Sequence, residues 1–244
     1  GQEALRTALL VGLIGGGHVL LESVPGLAKT LAASTLASTV DASFSRVQCT
    51  PDLLPSDIIG TQVFNPGSST FTTELGPVHA NVVLLDEINR SSAKTQAAML
   101  EAMQEKQATI GAKTYPMPDP FLVLATQNPI DEEGTYVLPQ AQMDRFLLKV
   151  IVDYPSPADE VEMLRRLKSG VLASRTVPPV VSRQDVLWLQ ALSRRVYVDE
   201  ALLRYIVQIV HATRHGGDYL PQEQAHCLEY GASPRATIAF VEAA

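Results

Sequence analysis

Four short runs of consecutive apolar residues constrain this chain most: Val19-Leu20-Leu21, Val82-Val83-Leu84-Leu85, Phe121-Leu122-Val123-Leu124 and the stretch from Phe146 to Val152. A strand with one wet face alternates apolar and polar residues, whereas a strand covered on both faces is apolar at successive positions. Strand-length runs of that second kind, rich in Val and Leu, point to a parallel sheet buried between helices, an α/β fold. The intervening sequence supplies the helices, at Leu27 to Val40 and Ala93 to Lys106. In the second of these, Ala97, Leu100, Ala102 and Met103 recur at helical spacing, and Ser91 or Ser92 stands ready to cap the start. Phe44 to Cys49 is a weaker strand candidate, with Phe44 alternating with polar neighbours before Thr50-Pro51.

Two stretches interrupt this alternation. Phe64 to Pro77 holds Asn-Pro-Gly, paired Ser and Thr, and Gly-Pro, the composition of a hairpin or protruding loop. Ala108 to Pro120, with Thr109-Ile110, Gly111 and Thr114-Tyr115, reads as a second small hairpin. Pro155-Ser156-Pro157 then marks a boundary, dividing the chain into a first unit over 1–154 and a second over 155–244. The second unit is mostly helical, with segments at Ala158 to Ser169, Arg183 to Arg195, Asp199 to Arg214 and from Ser233-Pro234 onward. The sequence opens at Gly1 without a Met and stops at Ala244 partway through the last helical pattern, so further segments are expected at its ends.

Bulk properties narrow the function classes. At 244 residues the chain buries a substantial core and accommodates one large domain with a smaller companion. No run reaches the roughly eighteen apolar residues that span a bilayer, and Leu9 to Gly17 lacks the basic flank and cleavage pattern of a secretory signal. Cys49 and Cys227 are far apart and in no metal-ligand spacing, which suits a reducing compartment, by default the cytoplasm. A formal charge of -7 supplies no overall basic footprint for nucleic acid.

The chemistry is concentrated where apolar runs end. Residues 23 to 30, Ser-Val-Pro-Gly-Leu-Ala-Lys-Thr, directly follow His18-Val19-Leu20-Leu21-Glu22. A strand leading through a turn with Gly26 into a helix opened by Lys29-Thr30 is an arrangement that holds a nucleoside triphosphate. Backbone N–H groups of Val24, Gly26, Leu27, Ala28, Lys29, Thr30 and Leu31 in the turn and first helical turn, with Pro25 shaping the bend, point at phosphates where the helix dipole adds positive charge. Lys29 reaches the β- and γ-phosphates and the Thr30 hydroxyl ligates Mg²⁺. Ser23 stands where the phosphate-loop pattern G-x-x-x-x-G-K-[ST] has its first Gly, a departure that removes backbone freedom from the turn.

Asp86-Glu87 closes the apolar run Val82 to Leu85, and the carboxyl end of a parallel strand faces the same crevice as the phosphate loop. There Asp86 is placed to hold the Mg²⁺ water shell and Glu87 to polarise a water for attack on the γ-phosphate. Asn128, in Ala125-Thr126-Gln127-Asn128-Pro129, either offers its amide to the γ-phosphate or attacking water, or simply initiates an Asn-Pro turn. Arg145, in Asp144-Arg145-Phe146, and Arg235, in Gly231-Ala232-Ser233-Pro234-Arg235, are each compatible with an ordinary solvated Arg; periodicity fixes neither.

Together these strings resemble a family. Leu85-Asp86-Glu87-Ile88-Asn89-Arg90 with Ala93-Lys94-Thr95-Gln96 and Leu100-Glu101-Ala102-Met103-Gln104-Glu105 resembles the second nucleotide motif of MoxR-type AAA+ ATPases. Gly17 to Glu22 before the loop, Ala125 to Pro129, Ala141-Gln142-Met143-Asp144-Arg145-Phe146 and Gly231 to Arg235 follow in family order. The resemblance implies an αβα P-loop core with a parallel five-stranded sheet, then a smaller all-α lid, with ATP or ADP and Mg²⁺ clasped between them and subunits in a homo-oligomeric ring, usually a hexamer. It assigns Lys29 and Thr30 to the first nucleotide motif, Asp86 and Glu87 to the second, and Asn128 to the first sensor. It further assigns Arg145 to an arginine finger acting on the adjacent subunit, Arg235 to the lid's second sensor, and Gln2 to the passage of the chain near the adenine. The two hairpins correspond to inserts that commonly face the central pore. The implied activity is ATP hydrolysis coupled to chaperone-like remodelling or maturation of client proteins, often with a partner carrying a von Willebrand factor A domain. A magnesium chelatase-like ATPase subunit and a nucleotide-gated scaffold with little hydrolysis are the alternatives. A phosphotransferase acting on small molecules is disfavoured by Asn128 and Arg235, and a DNA-directed motor by the acidic charge balance.

Overall fold

In the computed structural model the described residues are 2–24, 26–128, 136–170, 177–225 and 227–244. The chain opens with α1 (Glu3–Gly15), β1 (Val19–Ser23), α2 (Lys29–Thr39), β2 (Phe44–Gln48) and α3 (Pro55–Ile59). A hairpin of β3 (Gly60–Asn65) and β4 (Thr70–Leu75) follows, then β5 (Val82–Asp86), a 3₁₀ turn (Ile88–Arg90) and α4 (Ala93–Glu105). A second hairpin, β6 (Gln107–Ile110) and β7 (Lys113–Pro116), leads to β8 (Leu122–Gln127), α5 (Gln140–Met143) and β9 (Leu148–Val152). Helices complete the chain: α6 (Pro157–Lys168), α7 (Arg183–Ser193), α8 (Glu200–Arg214), α9 (Gly216–Tyr219), α10 (Gln222–Ala225) and α11 (Pro234–Ala243).

The central sheet has 5 strands in the order β2-β5-β8-β1-β9, and every pairing within it is parallel. Successive side chains of a strand point to opposite faces, so the uninterrupted apolar runs must feed two cores. On one face Leu20, Val83, Leu85, Val123 and Ala125 pack with Met99, Leu100 and Met103 of α4. On the other, Val19, Leu21, Val82, Leu84, Leu122 and Leu124 pack with Leu5, Leu9 and Leu13 of α1 and Ala33 and Leu36 of α2. That double coverage is why the runs of β1, β5 and β8 carry no polar alternation; the run from Phe146 to Val152 departs from it, because β9 lies at the sheet edge and leaves Lys149 and Ile151 exposed.

Local chemistry accounts for the helix boundaries. Ser92 caps α4 by accepting from the Thr95 N–H, and Ser182 caps α7 in a reciprocal box with Asp185. The Pro-Ser-Pro boundary is itself a helix start: Ser156 accepts from the Asp159 N–H and Pro157 takes the first helical position, where its missing N–H costs nothing. The helix expected from Leu27 begins at Lys29 instead, because Gly26 and Ala28 both have left-handed backbones. The first hairpin also starts earlier than composition suggests, since Gly60 already pairs with Leu75 and the register runs to Asn65 and Thr70. Tyr115 Oη donates to Thr73 Oγ1 at 3.0 Å, joining the second hairpin to the first.

The C-terminal helices dock onto α1 and α2. Val186 of α7 is buried in the same core as Leu5 and Leu9, and the Gln190 side chain donates to the Leu13 carbonyl at 2.7 Å. The N–H groups of Val180 and Val181 both donate to the Thr39 carbonyl at the end of α2. Among the described residues no helix is long and apolar enough to cross a membrane.

Candidate functional site

Parallel register aligns the carboxyl ends of the central strands, and the polar residues collect there. Gln48 stands opposite Asp86 in the β2–β5 pairing, Leu85 opposite Ala125 in β5–β8, and Leu21 opposite Thr126 in β1–β8. The phosphate loop therefore leaves β1 along the same edge as Asp86, Glu87 and Thr126.

The loop itself has an unusual backbone. Gly26 takes φ 86° with open space where a Cβ would stand, and Ala28 takes φ 55°, ψ 24°. Ala28 occupies the second glycine position of the phosphate-loop pattern, a departure beside that of Ser23, and holds a conformation that costs an L-residue roughly 1–2 kcal/mol. Leu27 between them is buried and packs into the α1–α2 core, which pins the loop to the sheet. Helix α2 starts with no side-chain cap, so its first-turn N–H groups keep the anion-binding character of an open helix N-terminus. Ser23 Oγ is buried without a hydrogen-bond partner, an orphaned polar atom at the base of the loop. Val24 offers its carbonyl to Lys29 Nζ at 3.5 Å. Pro25 lies outside the described residues. Partial burial pulls the Lys29 ammonium below its ordinary pKa, while the carboxylates of Asp86 and Glu87 pull the other way.

The acidic pair is held from three sides, by β8, by β2 and by the turn that follows it. The Thr126 hydroxyl donates to Asp86 Oδ1 at 2.8 Å and accepts from the Glu87 N–H at 2.8 Å, fixing both residues from the neighbouring strand. Arg46 Nη2 pairs with Asp86 Oδ2 at 2.6 Å. Glu87 Oε2 accepts from Gln48 Nε2 at 3.0 Å and from Arg90 Nη1 at 3.2 Å. Glu87 also has a left-handed backbone, φ 59°, ψ 53°, which turns its carboxylate out of the strand line. Gln48 and Thr126 stand near strand ends, Thr126 within the string Ala125 to Pro129, whereas Arg46 in the middle of β2 has no such mark; which carboxylate each meets depends on strand order. The oxygen donors of Thr30 and Asp86 are hard ligands of the type Mg²⁺ takes, so the residues fit that ion. The Asn128 carbonyl accepts from Asn89 Nδ2 at 3.4 Å, just past β8, while Pro129 lies outside the described residues. Gln2 donates its side-chain amide to the Asp153 carbonyl at 3.1 Å, tying the chain start to the segment after β9.

Arg145 and Arg235 lie together at the other end of β1. The Leu147 N–H donates to the His18 carbonyl at 2.8 Å, anchoring the Asp144-Arg145-Phe146 turn beside the amino end of the strand. Arg235 pairs with Asp144 at 3.6 Å, and with Arg145, Gly17 and His18 lines a cleft of about 230 Å³. The length of β1, at roughly 3.3 Å per residue, separates this cleft from the phosphate loop. The structure thus brings Lys29, Asp86, Glu87 and Thr126 together, and Arg145 with Arg235, but does not bring Arg235 to the loop of its own chain.

His18 deserves its place in the same motif. Its Nδ1 accepts from the Val123 N–H at 3.0 Å, so Nε2 carries the proton and donates to the Met103 carbonyl at 3.1 Å. Burial pushes its pKa down to about 4, leaving it neutral.

A parallel sheet in this order, with a phosphate loop after β1 and an acidic pair after β5, defines a P-loop nucleotide-binding protein of the AAA class. The profile of the ATPase family associated with various cellular activities (AAA) matches residues 18–148. The chain belongs to the MoxR family of AAA+ ATPases. It is 50% identical over its full length to Chaperone MoxR1 of Mycobacterium tuberculosis, of which it spans 64%. It is 43% identical to YeaC of Bacillus subtilis, covering 73% of that protein, and 29% identical to Protein MoxR of Paracoccus denitrificans, covering 76%. A crystal structure of a protein assigned as an ATPase from Cytophaga hutchinsonii superimposes with a TM-score of 0.88 at 48% identity, covering 99% of this chain and 73% of that one. Family membership implies nucleotide binding.

Proposed function

We propose that this chain binds ATP with Mg²⁺, hydrolyses it, and couples the cycle to remodelling or maturation of client proteins as part of a ring, with six subunits the expected number. The observation that carries the reading is that parallel register brings the Lys29 loop after β1 and the Asp86-Glu87 pair to one sheet edge, where Thr126 fixes both acidic residues. In this reading Lys29 and the N–H groups of residues 24–31 bind the phosphates, while Thr30 and Asp86 hold the cation, whose charge neutralises the phosphate oxygens when it is bound. Glu87, released from Gln48 and Arg90, orients the attacking water, with Asn128 beside it. Gln2 lies along the adenine side. Arg145 stabilises transition-state charge on nucleotide held by a neighbour. Its distance from its own loop along β1 supports action in trans, and the same placement supports Arg235 facing a neighbour. The two joined hairpins are the surface offered to a client. A von Willebrand factor A domain partner and a cytoplasmic site of action belong to the same proposal by family likeness.

The Glu87→Gln variant is expected to bind ATP as tightly as the parent while phosphate release falls by about two to four orders of magnitude. Normal release by that variant would remove Glu87 from its role. Arg145→Ala subunits mixed with Lys29→Ala subunits are expected to recover activity through interfaces that pair an intact loop with an intact arginine. Strictly proportional loss on mixing counts against a finger in trans.

One observation favours a second reading, a nucleotide-gated scaffold with little hydrolysis: Asp86 is paired with Arg46, and Glu87 is held by Gln48 and Arg90. Steady-state phosphate release distinguishes the two, since a scaffold binds ATP without turnover at any protein concentration.

A further inference from the structure

Asp144 joins the two elements that carry an arginine of the cleft, one through the chain and the other through its carboxylate. On its own side it precedes Arg145 in a turn fixed to the sheet through the Phe146 side chain, which is buried, and the Leu147 N–H on the His18 carbonyl. On the other side Ser233 Oγ donates to it at 2.7 Å from each carboxylate oxygen. The same hydroxyl accepts from the Arg235 N–H at 3.0 Å as the N-cap of α11, so both of its capacities are used. A carboxylate at the start of this 10-residue helix is also on the favourable end of the helix dipole.

The strand of chain leading into Arg235 is clasped from behind. Arg214 Nε donates to the Ala232 carbonyl at 2.7 Å, and the Ala232 N–H donates to Thr213 Oγ1 at 2.9 Å. A Cβ on Gly231 would meet the Arg214 Cα at 2.7 Å, so that position must stay glycine for the clasp to close. Each residue of the Gly-Ala-Ser-Pro-Arg string thereby has a mechanical role: close approach, clasp, cap, first helical turn, charge. The guanidinium that results is half-exposed, and its 3.6 Å separation from Asp144 leaves it able to take a second anion.

We propose that Asp144 is a positioning residue: through Ser233 it docks the start of α11 on the Arg145 turn, so that Arg145 and Arg235 are presented as one anion-binding unit to the nucleotide phosphates of a neighbouring copy. This rests on the reading that Arg145 acts in trans. Asp144 itself need not touch nucleotide; it holds the start of α11 against the Arg145 turn and pairs with Arg235.

The test uses the full-length protein. Asp144→Ala and Ser233→Ala are each expected to lower kcat by about ten- to a hundred-fold, the worth of one charge-assisted hydrogen bond, with KM for ATP little changed. Asp144→Asn, which keeps an oxygen for Ser233, and Ser233→Thr, which keeps the hydroxyl, are expected to restore much of the rate at parental melting temperature. Because the loop of an Asp144→Ala subunit is intact, mixing it with Lys29→Ala subunits should recover activity as Arg145→Ala subunits do. Parental turnover in Asp144→Ala, or failure of that mixture where the Arg145→Ala mixture recovers, overturns the proposal. Failure of both mixtures overturns the trans reading on which it rests.

Discussion

The residues of the proposed phosphate site differ in how far a linear string marks them. Lys29, Thr30, Asp86 and Glu87 are legible in a linear string, because a phosphate loop and an acidic strand end each carry their own chemistry. Arg46, Gln48 and Thr126 are not, because each matters only through the strand beside it: Thr126 reaches both Asp86 and the Glu87 N–H from β8. Ala28 is a different case, since its left-handed backbone is visible only in three dimensions. Its side chain is exposed, so replacing it with glycine removes strain without opening a cavity. The strain relieved, roughly 1–2 kcal/mol, exceeds the roughly 0.5–1 kcal/mol of extra chain entropy that glycine brings. Ala28→Gly is therefore expected to raise the melting temperature by about 1–4 °C without weakening ATP binding. A lowered melting temperature in calorimetry would show that the left-handed conformation is not strained here.

At the scale of elements, the sheet and its two covering layers follow from apolar runs that leave no wet face in β1, β5 and β8, whereas the edge strands β2 and β9 keep exposed positions, Arg46 and Gln48 in one and Lys149 and Ile151 in the other. The hairpins were signalled by turn residues, but their polar strands hid the true start at Gly60, where pairing rather than composition decides the boundary. Helix α1 lies outside that pattern, although Leu5, Ala8, Leu9 and Leu13 recur at helical spacing along its buried side. His18 joins elements, bonding α4 at Met103 to β8 at Val123. Its folded pKa, about 4, lies below the ordinary 6.5, so the unfolded chain takes up a proton first as pH falls. The His18 contribution is fully present above pH 6.5 and is lost as pH falls from there toward 4, by about 3 kcal/mol in all. Urea unfolding across that window should show the loss, and a His18→Gln variant should lack that part of it. Equal pH dependence in the two proteins would remove His18 as its source.

At the scale of the whole molecule, the residues proposed to act on nucleotide are divided between two edges of the sheet. The Lys29 loop and the acidic pair stand at the carboxyl edge of the sheet, and Arg145 and Arg235 line a cleft by the amino end of β1, where Arg235 pairs with Asp144. An arginine supplied by a neighbour changes turnover by roughly three to five orders of magnitude, so isolated chains are expected to be poor ATPases. Specific activity should then rise steeply with protein concentration and level off once rings form. Activity independent of dilution would mean that one chain completes its own site. The sequence alone determined the α/β class and the family, because burial on two faces and the family's ordered strings are local patterns that survive in one dimension. Only the tertiary structure decided which side chains grip Asp86 and Glu87, and that Arg235 sits with Arg145 instead of with Lys29. Those are matters of strand order and helix docking, set by contacts between residues far apart in the chain, and no spacing records them.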